Sequence, residues 1–273
     1  MKKYLVMLVA LAMMLGFTAC SDKDKGTDLD ILGYSLDQFF TIADAAAITN
    51  PTDTENTDYR SLYAYEIVGS DGWSPRSSVN AGYDLLWSTF KTGYLVPSDN
   101  RRTWFDSETM PSAFRVKNAA QVRLYRQIGV SGTAEDFVPQ ELGALATHTV
   151  TNWNGEEEAA IKLSDLLQGY EGYSTVILSA ADGYSKTFPA DMIADGYYLL
   201  TSERTTFPSF NDNPDIGNSL KKFKLVATMQ VNVDAPLKNN IGPHGNAPID
   251  KADLVITFPE HFDSYQSTVL TDY

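Results

Sequence analysis

An Asp-Gly step that closes an apolar run occurs twice in this chain in the same setting, and the repetition narrows the folds open to it. Ile67-Val68-Gly69-Ser70-Asp71-Gly72-Trp73-Ser74 is answered by Leu178-Ser179-Ala180-Ala181-Asp182-Gly183-Tyr184-Ser185. In each, a strand-like run stops at a tight turn where glycine takes the positive φ that a side chain resists, and an aromatic and a serine restart the chain. Three more pairs of segments keep the same order. Leu36-Asp37-Gln38-Phe39-Phe40 matches Leu163-Ser164-Asp165-Leu166-Leu167, and Gly82-Tyr83-Asp84-Leu85-Leu86 matches Gly196-Tyr197-Tyr198-Leu199-Leu200. Phe114-Arg115-Val116 with Gln121-Val122 matches Phe223-Lys224-Leu225 with Gln230-Val231. The pattern predicts an α+β protein of two tandem degenerate copies of a small mixed-sheet domain, over residues 29–131 and 132–236. Residues 237–273 form a C-terminal segment with a closing strand. Each copy is small for an independent core, so the two are expected to pack together.

Each copy begins with a short helix. Ser35 is placed to cap its first turn, with Gln38 reaching back as in a capping box. Buried strands follow at Tyr63–Val68 and Thr175–Ser179. Pro189 fits the first turn of a short helix and Gly196 its end, and Tyr197–Thr201 reads as a second strand. Alternation in Gln121-Val122-Arg123-Leu124-Tyr125 and in Gln230-Val231-Asn232-Val233 marks strands with one wet face. Gly132–Gln140 reads as a linker, Leu145–Thr151 as a strand, Asn152-Trp153-Asn154-Gly155 as a turn and Leu254–Phe258 as a last strand. The polar stretches Asn50–Asp58 and 234–250 read as loops.

The amino-terminal residues carry an address. Met1-Lys2-Lys3 is basic, Tyr4–Phe17 is apolar, and Phe17-Thr18-Ala19-Cys20 ends in small residues and a thiol. This resembles a bacterial lipoprotein signal peptide over residues 1–19, with Cys20 acylated, by palmitate or a similar chain, as the first mature residue. The apolar run is too short to span a bilayer as a helix. Residues 20–28, with Ser21-Asp22-Lys23-Asp24-Lys25-Gly26, read as a lipidated tether. A serine after the cysteine and the aspartates beyond it are similar to surface lipoproteins of Bacteroidetes. The resemblance implies an outer-membrane lipid anchor, facing either the cell surface or the periplasm, with the bilayer itself as one partner.

Cys20 is the chain's one cysteine, so no intramolecular disulfide forms. The formal net charge is −14. Such a chain is a poor partner for nucleic acid. Asp71 and Asp182 offer either paired carboxylates or self-contained turns, and with Trp73 and Tyr184 they are the candidate ligand-site turns. No catalytic residue is assigned. His148, His244 and His261 match no metal-ligand spacing, and no Gly-x-Ser-x-Gly elbow or Gly-rich phosphate loop is present. Trp73, Trp87, Trp104 and Trp153 offer either core packing or faces for sugar rings. Arg101 and Arg102 beside Trp104 suggest a cation–aromatic contact.

Ile161-Lys162-Leu163-Ser164-Asp165-Leu166-Leu167 followed by Ser179-Ala180-Ala181-Asp182-Gly183-Tyr184-Ser185-Lys186-Thr187-Phe188-Pro189 resembles the molybdopterin-binding fold of the sulfite oxidase group. The resemblance covers about residues 142–233, with a more eroded version in the first copy. In that family a cysteine thiolate upstream holds the metal. No residue here matches it, and an oxygen or nitrogen donor is no neutral substitute for a soft ligand. The resemblance therefore implies a fold without the cofactor. The expectation is a non-catalytic, membrane-anchored lipoprotein that binds a glycan or an envelope protein. The alternative is an oxidoreductase that keeps a pterin through non-standard ligands.

Overall fold

The computed structural model describes residues 30–49, 55, 57–76, 85–106, 110–133, 137–234, 249–271 and 273. The signal segment, Cys20, the tether, residues 82–84, His244 and most of the two polar loops lie outside them.

The α+β expectation holds: among the described residues strands dominate and the longest helix is only eight residues, Ile42–Thr49. The described residues form three sheets. One small sheet joins β1 (Leu32–Ser35), β4 (Gly93–Val96), β5 (Arg102–Phe105) and β16 (Ser267–Val269) in the order β16-β1-β4-β5. The other joins β8 (Thr147–Thr151), β9 (Glu157–Lys162), β12 (Tyr197–Leu199) and β13 (Arg204–Thr206) in the order β13-β12-β9-β8. The eight-stranded sheet runs β11 (Ser185–Pro189), β10 (Thr175–Ala180), β14 (Val226–Val231), β6 (Ala119–Ser131), β2 (Tyr63–Gly69), β3 (Leu85–Leu86). Strands β7 (Val138–Glu141) and β15 (Leu254–Thr257) also pair with β6.

The 13-residue strand β6 joins the two ends of the molecule. Its first half pairs with β2 and β15, its second with β7 and β14. Side chains alternate along a strand, so Val122, Leu124, Arg126, Ile128 and Val130 share one face. Val122 and Leu124 enter one core with Leu36, Tyr65, Leu95 and Phe105. Ile128 and Val130 enter a second with Ile161, Leu178, Phe188 and Tyr198. Both small sheets therefore pack on the same face of the large one, and Arg126 stands where the two cores meet.

The two small sheets are built alike. Gly93 and Gly196 each lie where an added Cβ would fall within 2.7 Å or less of a phenylalanine ring (Phe105, Phe207) and 2.7 Å from a leucine methyl (Leu36, Leu163). Thr103 N–H donates to Val116 O at 3.0 Å, and its hydroxyl bridges Phe114 O and Val116 N–H. Thr205 does the same with Phe223 O at 2.8 Å, Lys221 O and Phe223 N–H. β2 and β10 each end in a register shift against their neighbour, between Val68 and Gly69 and between Ser179 and Ala180. Gly93 thus has the setting of Gly196; the sequence match to Gly82 falls on residues 82–84, outside the described residues. Likewise Phe114-Arg115-Val116 stands level with Lys221-Lys222-Phe223, two residues before the stretch matched by sequence.

Four sequence expectations change. Ser35 and Gln38 form no capping box, because Leu36–Phe39 is a single 3-10 turn. Ser35 hydroxyl donates to Asp37 at 2.6 Å, and Gln38 clasps the backbone of Gln266 from both ends of its amide at 2.8 and 2.9 Å. The wet face expected over Gln121–Tyr125 is only partly wet: Gln121 and Arg123 are half-buried between buried Val122 and Leu124, and Tyr125 is buried, because β6 lies inside the sheet. Part of the stretch read as a linker pairs as β7. Gly196 has an ordinary backbone, φ −83, so it is required for close approach and not for a left-handed helix end.

Candidate functional site

Both Asp-Gly turns close on themselves. Gly69 N–H donates to Trp73 O at 2.8 Å and Ala180 N–H to Tyr184 O at 2.8 Å. Asp71 Oδ1 accepts the Trp73 N–H at 3.0 Å, and Asp182 Oδ1 accepts the Tyr184 N–H at 2.9 Å. Gly72 and Gly183 take φ +82 and +86. These carboxylates hold their own turns, as aspartates commonly do. They also stand far apart. β10 and β2 are separated by two strands, and the turns sit at different levels along the sheet, so the carboxylates are about 30 Å apart at ordinary strand spacings. The paired-carboxylate reading fails on distance. Trp73 and Tyr184 are exposed at 40% and 43%, and Tyr184 stacks on Phe223 at 5.5 Å.

Around the second turn the donors are Asp182, Tyr184, Lys186 and Lys224, all oxygen or nitrogen. That set does not fit a thiolate-held molybdenum–pterin centre. Among the described residues no three His, Cys, Asp or Glu side chains gather to hold a metal. His148 lies on β8, its ring 5.7 Å from Tyr197 and its Nε2 3.8 Å from Asp165. His261 is exposed.

The outer face of the sheet β16-β1-β4-β5 carries a better site. Leu95 and Phe105 point into the core, so their neighbours Tyr94 and Trp104 lie on the other face, where Trp104 is 8% exposed and packs with Val96 and Leu270. Register sets these two rings directly opposite on β4 and β5, with centroids 6.0 Å apart. They line an open groove of about 480 Å³ with Thr92, Asp106, Thr268, Val269, Leu270 and Thr271. Gly33 lets the groove floor close: a Cβ there would fall 2.7 Å from Leu270 and 3.0 Å from Tyr94. Tyr273 lies 6.0 Å from Trp104, and its hydroxyl donates to Asp99. Burial, together with that hydrogen bond and the Asp99 charge, pushes the Tyr273 phenol up to about 12. Arg101 lies over Phe262 at 5.6 Å and donates to Pro259 O, so the expected contact with Trp104 is not made. Sequence reasoning singled out Trp104 but missed Tyr94, because neither β4 nor β16 was legible. No local signal was available, since Gly93-Tyr94-Leu95-Val96 does not alternate between apolar and polar residues.

A buried polar cluster occupies the seam between the cores. Arg126 donates to Tyr198 Oη at 3.1 Å, Glu203 Oε2 at 3.2 Å and Val226 O at 2.8 Å, and also to Gln127 O. Tyr198 donates to Glu203. Burial works against the guanidinium's charge, and the Glu203 carboxylate beside it more than offsets this, holding its pKa above the ordinary arginine value. On the opposite face of the sheet, Glu66 accepts from Ser74 and Tyr125, and Arg76 pairs with Glu141. Both clusters are held by their own members, as buried charges must be.

Comparison with family models, with curated proteins and with solved structures yields no match.

Proposed function

We propose that this chain is a non-catalytic binding protein of a bacterial outer membrane, anchored by lipid on Cys20, whose groove over Tyr94 and Trp104 takes a sugar ring of an envelope glycan. The observation that carries the binding role is the groove's lining: two aromatic rings beside three threonine hydroxyls and the Asp106 carboxylate. Rings pack on the apolar face of a sugar while hydroxyls and a carboxylate satisfy its edge, the mixture a small-ligand site needs. The chain is read as two degenerate copies of one α+β unit, supported by the paired turns, the paired glycines and the paired threonines. Its resemblance to the molybdopterin-binding fold is a proposal about ancestry, carried by Ile161–Leu167 and Ser179–Pro189. The lipid anchor is carried by residues 1–20 alone.

A glycan array probed with wild-type protein and with the Trp104→Ala and Asp106→Asn variants tests the binding role. Wild type is expected to mark a small set of glycans and both variants to lose them, Asp106→Asn with an unchanged melting transition and Trp104→Ala with a lowered one, since Trp104 also packs on Val96 and Leu270. Turnover of a bound glycan, or an array with no signal, overturns the reading. Mass spectrometry of native protein is expected to find acyl chains on Cys20, and protease shaving of intact cells decides which side of the membrane it faces.

A further inference from the structure

A cavity of about 130 Å³ opens at the seam between the two cores. Its wall comes from segments far apart in sequence. Arg126 stands on β6, Leu142 just after β7, Leu200 and Glu203 between β12 and β13, and Lys251 and Asp253 just before β15. Arg126 and Glu203 are buried, while Lys251 and Asp253 are exposed and mark the mouth.

Four acceptors hold the Arg126 charge, and all of them engage Nη1 or Nη2. Its Nε–H has no acceptor among the described residues, although the side chain is 3% exposed. Buried donors in folded proteins nearly always have partners, so this one calls for an acceptor within the cavity. Asp253 uses Oδ2 to accept the Arg126 backbone N–H at 2.6 Å. Among the described residues neither Asp253 nor Lys251 makes an ion pair.

The wall thus carries two cations and two carboxylates. A ligand of a single sign meets as much repulsion as attraction there. A ligand that carries both signs finds a partner for each, which is the complementarity that gives specificity. The space is that of about four waters, which is also that of a small α-amino acid. Leu142 and Leu200 give such a ligand's side chain an apolar wall.

We propose that this cavity binds a small free amino acid, its carboxylate on Arg126 Nε and Lys251 and its ammonium on Asp253 and Glu203. The ligand touches β6, the β12–β13 turn and the segment before β15 at once, so it ties the two cores together. The site shares no residue with the groove over Trp104 and does not depend on it.

Isothermal titration and thermal melts of the full chain with glycine, L-alanine and L-serine test the proposal. At least one of the three is expected to bind and to raise the melting temperature, since it binds the folded state alone. The N-acetyl and the amide forms of that amino acid, each lacking one charge, are expected to bind at least about tenfold more weakly. Lys251→Gln and Asp253→Asn lie at the exposed mouth and keep the bulk of their side chains. Each is expected to weaken binding about tenfold, since a charge-assisted contact is lost, with the wild-type melting transition when no amino acid is present. Lys91→Gln, exposed in the other half of the molecule, is expected to leave binding unchanged. A cavity that takes none of the three amino acids overturns the proposal. So does an affinity for either capped form equal to that for the free amino acid, or wild-type affinity in Lys251→Gln or Asp253→Asn.

Discussion

Arg126 is the one charged residue on the core side of β6, and its charge survives burial because four acceptors converge on it. An alternating strand with a charge on it reads as half-wet, so the sequence gives no hint that this arginine is 3% exposed. Its carboxylate partner lies 77 positions away. Breaking a buried pair strands the other charge, so Arg126→Met is expected to cost roughly 3–5 kcal/mol in denaturant unfolding. Arg126→Met/Glu203→Leu, which removes both charges, is expected to regain most of that loss, a coupling that a double-mutant cycle measures. Tyr273 makes a gentler test. Asp99→Asn removes two of the causes that raise its phenol, leaving partial burial, so its ultraviolet titration is expected to move from about 12 back toward the ordinary tyrosine value.

Turns were the most legible elements. Asp-Gly chemistry is decided by three or four adjacent residues, so Asp71 and Asp182 could be placed in their turns without knowing the fold. The short strands β1, β4, β5 and β16 were not legible, since nothing local distinguishes a three- or four-residue strand from a loop. Gly93 was passed over for the same reason: two Gly-Tyr steps lie close together, and only contact with Phe105 and Leu36 gives Gly93 the setting of Gly196. Gly93→Ala and Gly196→Ala both force a methyl into packed rings, and each is expected to cost about 1–3 kcal/mol. Gly72→Ala meets no neighbour within 4 Å and pays only for its backbone, about 1–2 kcal/mol. Thermal melts of the three variants are expected to rank in that order, with the packed glycines worse.

At the scale of the whole molecule, stability is tied to alkaline pH through buried phenols. Burial raises Tyr63, Tyr65 and Tyr198 above the ordinary tyrosine value of 10.0. The unfolded chain loses these protons near pH 10 while the folded chain keeps them, so the unfolded state binds fewer protons there and stability falls as pH rises. Calorimetry is expected to find this contribution fully present below pH 10 and declining above it, through the higher pH at which the folded phenols ionise. The two-core plan was only partly legible, because a strand that serves both cores cannot be assigned to either from its own residues. The clasp of Gln38 on Gln266 joins positions 228 apart, and β16 closes the sheet that β1 begins. A ribosome would therefore deliver the 228 positions from Gln38 to Gln266 before β1 met its outer neighbour. Until then that edge stays open.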